Sequence, residues 1–232
     1  MGILKSTSWV LTSRIINVAL AIPSSILVAR ALGPQGKGIL SLSTFIPSIL
    51  ALVGYLGINI ANVYFVGKDP KKASKAVSNS IWFAFGISVF LLIIYSPFAR
   101  LIHTKFLSES PDYLELIGMA FLPIIFLNAF LASVILGLNK IKHYSRIAII
   151  ASTASLIGIS LGWVLGLGVP GFIIVGIIAN ILVLVIYVIT VKRLGVLSFR
   201  KFDYDYFRES IHFGIKGHLG NLAQFFNYRL TI

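Results

Sequence analysis

Six apolar runs, at 10–32, 39–66, 81–101, 116–138, 147–167 and 172–191, constrain this chain more than any other feature. Each is about 20 residues or longer and nearly free of charge. A helix rising 1.5 Å per residue needs about that length to cross ~30 Å of hydrocarbon. A lone segment in lipid must satisfy its own backbone polar groups, which a helix does and an open strand cannot. The expected fold is therefore all-α, a polytopic membrane helical bundle with six transmembrane helices.

Composition agrees. Hydrophobic residues make up 57% of the 232 and charged residues 12%, about half the charge of a soluble chain. Mean hydropathy is +0.94. The chain has no cysteine, which excludes a disulfide framework, thiolate chemistry and a cysteine metal site. The four histidines are scattered, and His103, His143, His212 and His218 have no metal-ligand partner at i+3 or i+4. Neither a metal nor a cofactor is expected. With no nucleophile–base pair in view either, the chain does not read as an enzyme.

The net charge of +13 could suggest nucleic acid, but its distribution points to membrane topology. Lys5 and Arg14, then Lys68, Lys71, Lys72 and Lys75, then Lys140, Lys142 and Arg146, then the basic stretch from Lys192 to Lys216 all fall on one side of the alternating spans. The other side receives only Arg30, Lys37, Arg100 and Lys105, with the acids Glu109, Asp112 and Glu115. The positive-inside rule places the richer side, and the N-terminus, in the cytoplasm. Cytoplasmic cations can also meet anionic headgroups of membrane lipids. The run after Lys5 is too long for a leader, carries Arg14 and lacks a small-residue cleavage site, so it reads as an uncleaved first span.

Punctuation supports these limits. Asp69-Pro70 reads as an N-cap with proline at the first helical position, and Ser110-Pro111-Asp112 repeats that signal on the outer side. Val169-Pro170-Gly171 reads as a tight outer turn. The polar, aromatic stretch 192–210 is expected as an interfacial helix. From 211 the chain opens another membrane helix and stops at Ile232. The division is thus a six-helix lobe at 1–191, a cytoplasmic linker at 192–210 and the start of a seventh helix at 211–232, the N-terminal portion of a longer transporter.

Polar residues inside the spans form stripes at ~100° per residue. Ser13, Arg14, Asn17, Ser24 and Ser25 share an arc on the first. Ser41, Thr44, Ser48, Tyr55, Asn59 and Asn62 share one on the second. Gly214, Gly217, His218, Asn221, Gln224 and Tyr228 share one on the seventh, with Arg229 beside it. Polar groups facing lipid are costly, so three stripes together suggest a water-filled cavity. The alternative is interhelical hydrogen bonding, worth about 1 kcal/mol per residue. Arg14, ~8 Å into its span, can snorkel to the interface or bind an anion through its guanidinium fork. Ala154, Gly158, Gly162 and Gly166 at spacings of four read as a packing face. Gly33-Pro34-Gln35-Gly36-Lys37-Gly38 fails the phosphate-loop spacing and reads as a turn.

Residues 29–68, ARALGPQGKGILSLSTFIPSILALVGYLGINIANVYFVGK, resemble the early segment of bacterial and archaeal polysaccharide flippases, where an AR-LG-P---G turn closes the first helix. FGIKGHLGNLAQFFNYRL at 213–230 resembles the opening of their seventh helix. These proteins belong to the multidrug/oligosaccharidyl-lipid/polysaccharide exporter superfamily. The resemblance implies two six-helix lobes around a cavity lined by the first, second, seventh and eighth helices. It implies translocation of a polyprenyl-diphosphate-linked oligosaccharide across the cytoplasmic membrane for surface polysaccharide, alongside polymerase and assembly proteins and without nucleic acid. Arg14 and Arg229 would then hold the diphosphate, while Asn17, Asn59, Asn62, Asn221 and Gln224 would bond sugar or water. A cation-coupled multidrug exporter of the same superfamily would call for an intramembrane carboxylate, and no acid lies within the six spans. A non-transporting scaffold of a polysaccharide assembly complex is the third reading.

Overall fold

The computed structural model describes residues 3–106 and 112–230, and these are helical throughout apart from short connections. Five stretches are long and apolar enough to cross a membrane: Ser8–Gly54, Pro70–Lys105, Leu116–Gly137, Ile141–Val164 and Val169–Arg193.

The first stretch belongs to α1 (Ile3–Gly54), which holds two arms joined at Gly33. There the backbone adopts φ 65, ψ −179, a region essentially reserved for glycine, and Pro34 restarts the helix without an amide to satisfy. Lys37 Nζ reaches Ser25 Oγ at 3.3 Å. Twelve residues of straight helix would separate those backbones by ~18 Å, so the chain doubles back here.

Two expected spans are broken. The run 39–66 is not one helix: α1 ends at Gly54, residues 55–57 turn, and α2 (Ile58–Lys68) resumes. Leu56 (φ 42) and Gly57 (φ 77) carry the turn in the left-handed region. Likewise 116–138 divides into α4 (Asp112–Ala120) and α5 (Leu122–Gly137), because Pro123 has no amide to offer the Met119 carbonyl. Asp69 behaves as expected, its Oδ1 accepting from the Lys71 amide at 3.0 Å to open the 3-10 turn Pro70–Lys72 before α3 (Ala73–Phe106). The Ser110-Pro111 signal lies outside the described residues.

The reversal between α6 (Ile141–Val164) and α7 (Val169–Arg193) is made at Gly166 (φ 65), where the Leu167 amide donates to the Gly162 carbonyl at 2.8 Å. Val169-Pro170-Gly171 is therefore the first turn of α7 and not the turn itself. Gly158 and Gly162 pack as expected: a Cβ on Gly158 would sit 2.6 Å from Val175, and one on Gly162 3.5 Å from Phe172. The stretch 192–210 is also not one helix. Lys192 and Arg193 finish α7, and Gly195 (φ 69) caps it while the Val196 amide bonds back to the Val191 carbonyl at 3.2 Å. Residues 194–203 are non-helical, and α8 (Tyr204–Leu230) starts once Asp203 Oδ1 accepts the Tyr206 amide at 3.0 Å.

The bundle core sits between α2, α3, α5 and α7. Phe126 and Phe130 are fully buried, and Tyr55 meets both edge-on at 5.5 and 6.1 Å. Val66, Val77, Val134 and Val191 continue the core toward the Lys68–Lys75 end. On the outside, Ile174, Ile178, Leu182, Val185 and Ile189 line one exposed face of α7 at helical spacing. Such a face suits hydrocarbon as its solvent.

Candidate functional site

The first arm of α1 runs beside α6, and the two present polar groups to each other. Ser152 Oγ donates to Asn17 Oδ1 at 3.0 Å, across 135 positions of sequence. Around that contact lies a groove of about 350 Å³ lined by Asn17, Leu20, Ala21, Ser24, Ala151, Ser152 and Ser155. Alanine at 21 and 151 leaves the space, while the amide and hydroxyls supply polarity. Ser24 Oγ donates to the Leu20 carbonyl at 2.8 Å, so its lone pairs stay available to a donor.

Nearer the start of both helices, outside the groove lining, two cations gather on one ring. Lys142 Nζ stands 5.3 Å and the Arg146 guanidinium 5.9 Å from the Trp9 ring centroid. Each is within cation–π range, so one indole steadies two like charges. Arg14 is exposed on the same arm, three residues before Asn17. Among the described residues the ion pairs are Lys72–Glu209 at 3.5 Å and Lys75–Asp203 at 2.7 Å, neither of which neutralises Arg14, Lys142 or Arg146. The cations near the start of the two helices attract an anion, and the polar groove farther along the same helix pair can hydrogen-bond a hydroxylated group.

The other sequence candidates lie elsewhere. Asn62 is 1% exposed and ties the bundle together: Nδ2 donates to Ser80 Oγ at 3.0 Å and Ser133 Oγ at 3.3 Å, and Oδ1 accepts from the Tyr206 hydroxyl at 3.4 Å. Those bonds join α2, α3, α5 and α8. Asn59 is half-buried, and its Oδ1 has no partner among the described residues. On the second arm of α1, Thr44 and Ser48 bond their own helix carbonyls. The α8 stripe also divides. Gly214 meets Gly57 backbone to backbone, a Cβ on Gly217 would lie 3.2 Å from Ile60, and His218 is buried. Asn221 and Gln224 are exposed, while the side chains of Tyr228 and Arg229 lie outside the described residues.

Of the polar stripes read from the sequence, Asn17 and Ser24 line the groove, with Arg14 on the same helix outside its lining. Trp9, Lys142, Arg146, Ser152 and Ser155 escaped the sequence reading. Lys142 and Arg146 counted only as topology signals, although their i, i+4 spacing put them on one face. Ser152 and Ser155 hid in a run whose visible pattern was its small residues.

Residues 3–230 match the family described as polysaccharide biosynthesis protein, nearly the whole chain. The chain belongs to the polysaccharide biosynthesis protein family. A solved structure of a MOP superfamily transporter from Pyrococcus furiosus Vc1 (DSM3638), in which reverse polarity of the binding pocket suggests different function, is similar with a TM-score of 0.70 at 16% identity. That likeness shows a shared fold. It covers 90% of this chain and 50% of the other, so this polysaccharide biosynthesis protein spans about half the length of its structural neighbour. No curated protein matches the chain.

Proposed function

We propose that this polysaccharide biosynthesis protein is a flippase moving a polyprenyl-diphosphate-linked oligosaccharide from the cytoplasmic to the outer leaflet of the cytoplasmic membrane. The observation that carries this reading is the Asn17–Ser152 groove between α1 and α6, with Lys142 and Arg146 gathered on Trp9 nearer the start of the same helix pair, in a chain of membrane-length helices matched over residues 3–230 by the family. A sugar headgroup and its diphosphate cannot shed water to cross ~30 Å of hydrocarbon. The groove offers amide and hydroxyl groups to the sugar, and the basic end offers fixed positive charge to the diphosphate. Arg14 brings a bidentate fork to that charge, and Asn17 bonds sugar or water. Asn221 and Gln224, exposed on α8, bond sugar or water from that helix.

In this reading residues 1–191 form a six-span lobe, the two arms of α1 counting as two spans, and 211–232 open the seventh helix after the 192–210 linker. The N-terminus is cytoplasmic, as the basic loops require. A second lobe completes the cavity, consistent with the half-length match. Rocking of the two lobes exposes the groove first to the cytoplasm, then outside. No acid lies in the five membrane-length stretches, which disfavours a drug-cation carrier.

The test is translocation of a labelled polyprenyl-diphosphate oligosaccharide in proteoliposomes by the complete reading frame. Arg14→Ala and the pair Lys142→Ala with Arg146→Ala should each abolish transfer while the protein still reconstitutes, and Arg14→Lys should restore little. Unchanged transfer in all three variants would remove this cationic face from the mechanism.

A further inference from the structure

We propose that a second cavity, between the last turns of α3 and the start of α4, is a binding site for a lipid with an anionic phosphate headgroup. It has a volume of about 430 Å³, and Leu92, Tyr95, Arg100, His103, Leu116 and Met119 are among its walls. Pockets of that size hold whole small ligands. It is separate from the α1–α6 groove and shares no residue with it.

Three observations fix the ligand's chemistry. First, the polarity is graded along α3. Arg100 and His103 stand near the helix end, whereas Leu92 lies eight positions earlier, ~12 Å deeper along the axis. A soluble anion needs only the cationic end, but an amphipathic molecule lying along the bilayer normal matches both. Second, Arg100 is exposed and belongs to neither ion pair of the described residues. Its fork suits two oxygens of one phosphate. Third, Tyr95 is over nine-tenths buried, and its hydroxyl has no hydrogen-bond partner among the described residues. Buried hydroxyls are normally satisfied, and a headgroup or ester oxygen entering this cavity would satisfy this one. The wall opens on exposed Leu116 and the neighbouring Phe98 and Leu101, so a chain can enter sideways from hydrocarbon.

The proposal rests on α3 spanning the membrane and is independent of the transport reading. On the charge-based topology the site faces the outer leaflet.

Native mass spectrometry of the purified full protein, titrated separately with phosphatidylglycerol, diacylglycerol and inorganic phosphate, tests it. Phosphatidylglycerol should bind about tenfold tighter than the phosphate-free lipid diacylglycerol, the worth of one charge-assisted hydrogen bond. Arg100→Gln should erase that preference, and Ala99→Trp, which fills the cavity, should weaken both lipids. Inorganic phosphate should not displace the lipid. Each variant is checked by gel filtration for a monodisperse peak, and Lys37→Gln, on the other loop of the same side, should behave as wild type. Displacement by inorganic phosphate would make the site one for a soluble anion and overturn the proposal. So would an unchanged lipid preference in Arg100→Gln, the result expected if Arg100 serves Glu109, Asp112 or Glu115.

Discussion

The side-chain amide of Asn79 pairs twice with the backbone of Asp203, Nδ2 donating to its carbonyl at 2.7 Å and Oδ1 accepting from its amide at 2.8 Å. Beside this pair, Ser78 Oγ and Trp82 Nε1 both donate to the Arg200 carbonyl, at 2.6 and 3.1 Å. One face of α3 thus splints a segment with no helix of its own and fixes the point at which α8 begins.

Replacing Asn79 by alanine strips two backbone groups of Asp203 of their partners. Leaving such groups unsatisfied costs about 1–3 kcal/mol each when buried, and this site is partly buried. We expect a lower unfolding midpoint in detergent and faster tryptic cleavage at Arg200 and Lys201. Asn79→Asp keeps the acceptor and loses the donor, so it should fall between. Equal cleavage rates for all three would show that the segment is held by other contacts.

Lys75 Nζ contacts Asp203 Oδ2 at 2.7 Å. That hydrogen bond, followed by the one from the Tyr206 amide, holds the Asp203 carboxyl below its usual 3.8. The folded state therefore prefers the ionised form more than the unfolded chain does. Its stabilisation is complete above 3.8 and disappears as pH falls through the depressed folded value. Asp203→Asn should be less stable than wild type near neutrality and indistinguishable from it in strong acid. A gap between their thermal midpoints that persists in strong acid would assign the effect to something other than this charge.

Gly57 meets the backbone of Gly214 at the closest approach of α2 and α8, and it adopts φ 77. Alanine there would suffer the left-handed penalty of about 1–2 kcal/mol and would also push α8 away. Gly57→Ala should loosen α8, read as increased hydrogen exchange over 211–224, with a fall in thermal stability. Gly86→Ala is the control, because a Cβ there meets nothing within 4 Å and helix propensity favours it.

Asn62 bridges Ser80, Ser133 and Tyr206 inside the bundle. Asn62→Ala should destabilise by about 1–2 kcal/mol, as interhelical polar contacts in membranes do. Ser133 also donates to the Phe130 carbonyl at 2.6 Å and so stays satisfied. The loss should fall on Ser80 in α3 and on Tyr206 in α8, the latter detectable as reduced protection of the first turns of α8. If protection there is unchanged, the Tyr206 contact carries little.

How much of this was legible beforehand follows from what each feature depends on. Asp69 capping the turn before α3, the Gly33-Pro34 reversal and the Gly158–Gly162 packing face were readable because each is set by a residue's own backbone freedom, missing amide or size. The breaks at Leu56–Gly57 and at Phe121 were obscured by hydropathy, which stays high across a kink. The stripes were real as spacings, but spacing does not reveal what a stripe faces. Asn62 and Asn17 sit on comparable arcs, yet one is enclosed by three partners and the other opens onto a groove.

The sequence by itself determined that the chain is a set of membrane-length helices and how their basic loops alternate. In hydrocarbon, backbone hydrogen bonds must close within each segment, so a span is a local property. Only the tertiary structure decided which polar groups are consumed in packing and which stay open. Ser152 reaches Asn17, and Lys142 and Arg146 close on Trp9, only after α6 has come back alongside α1, a juxtaposition of residues some 135 positions apart that no local pattern encodes.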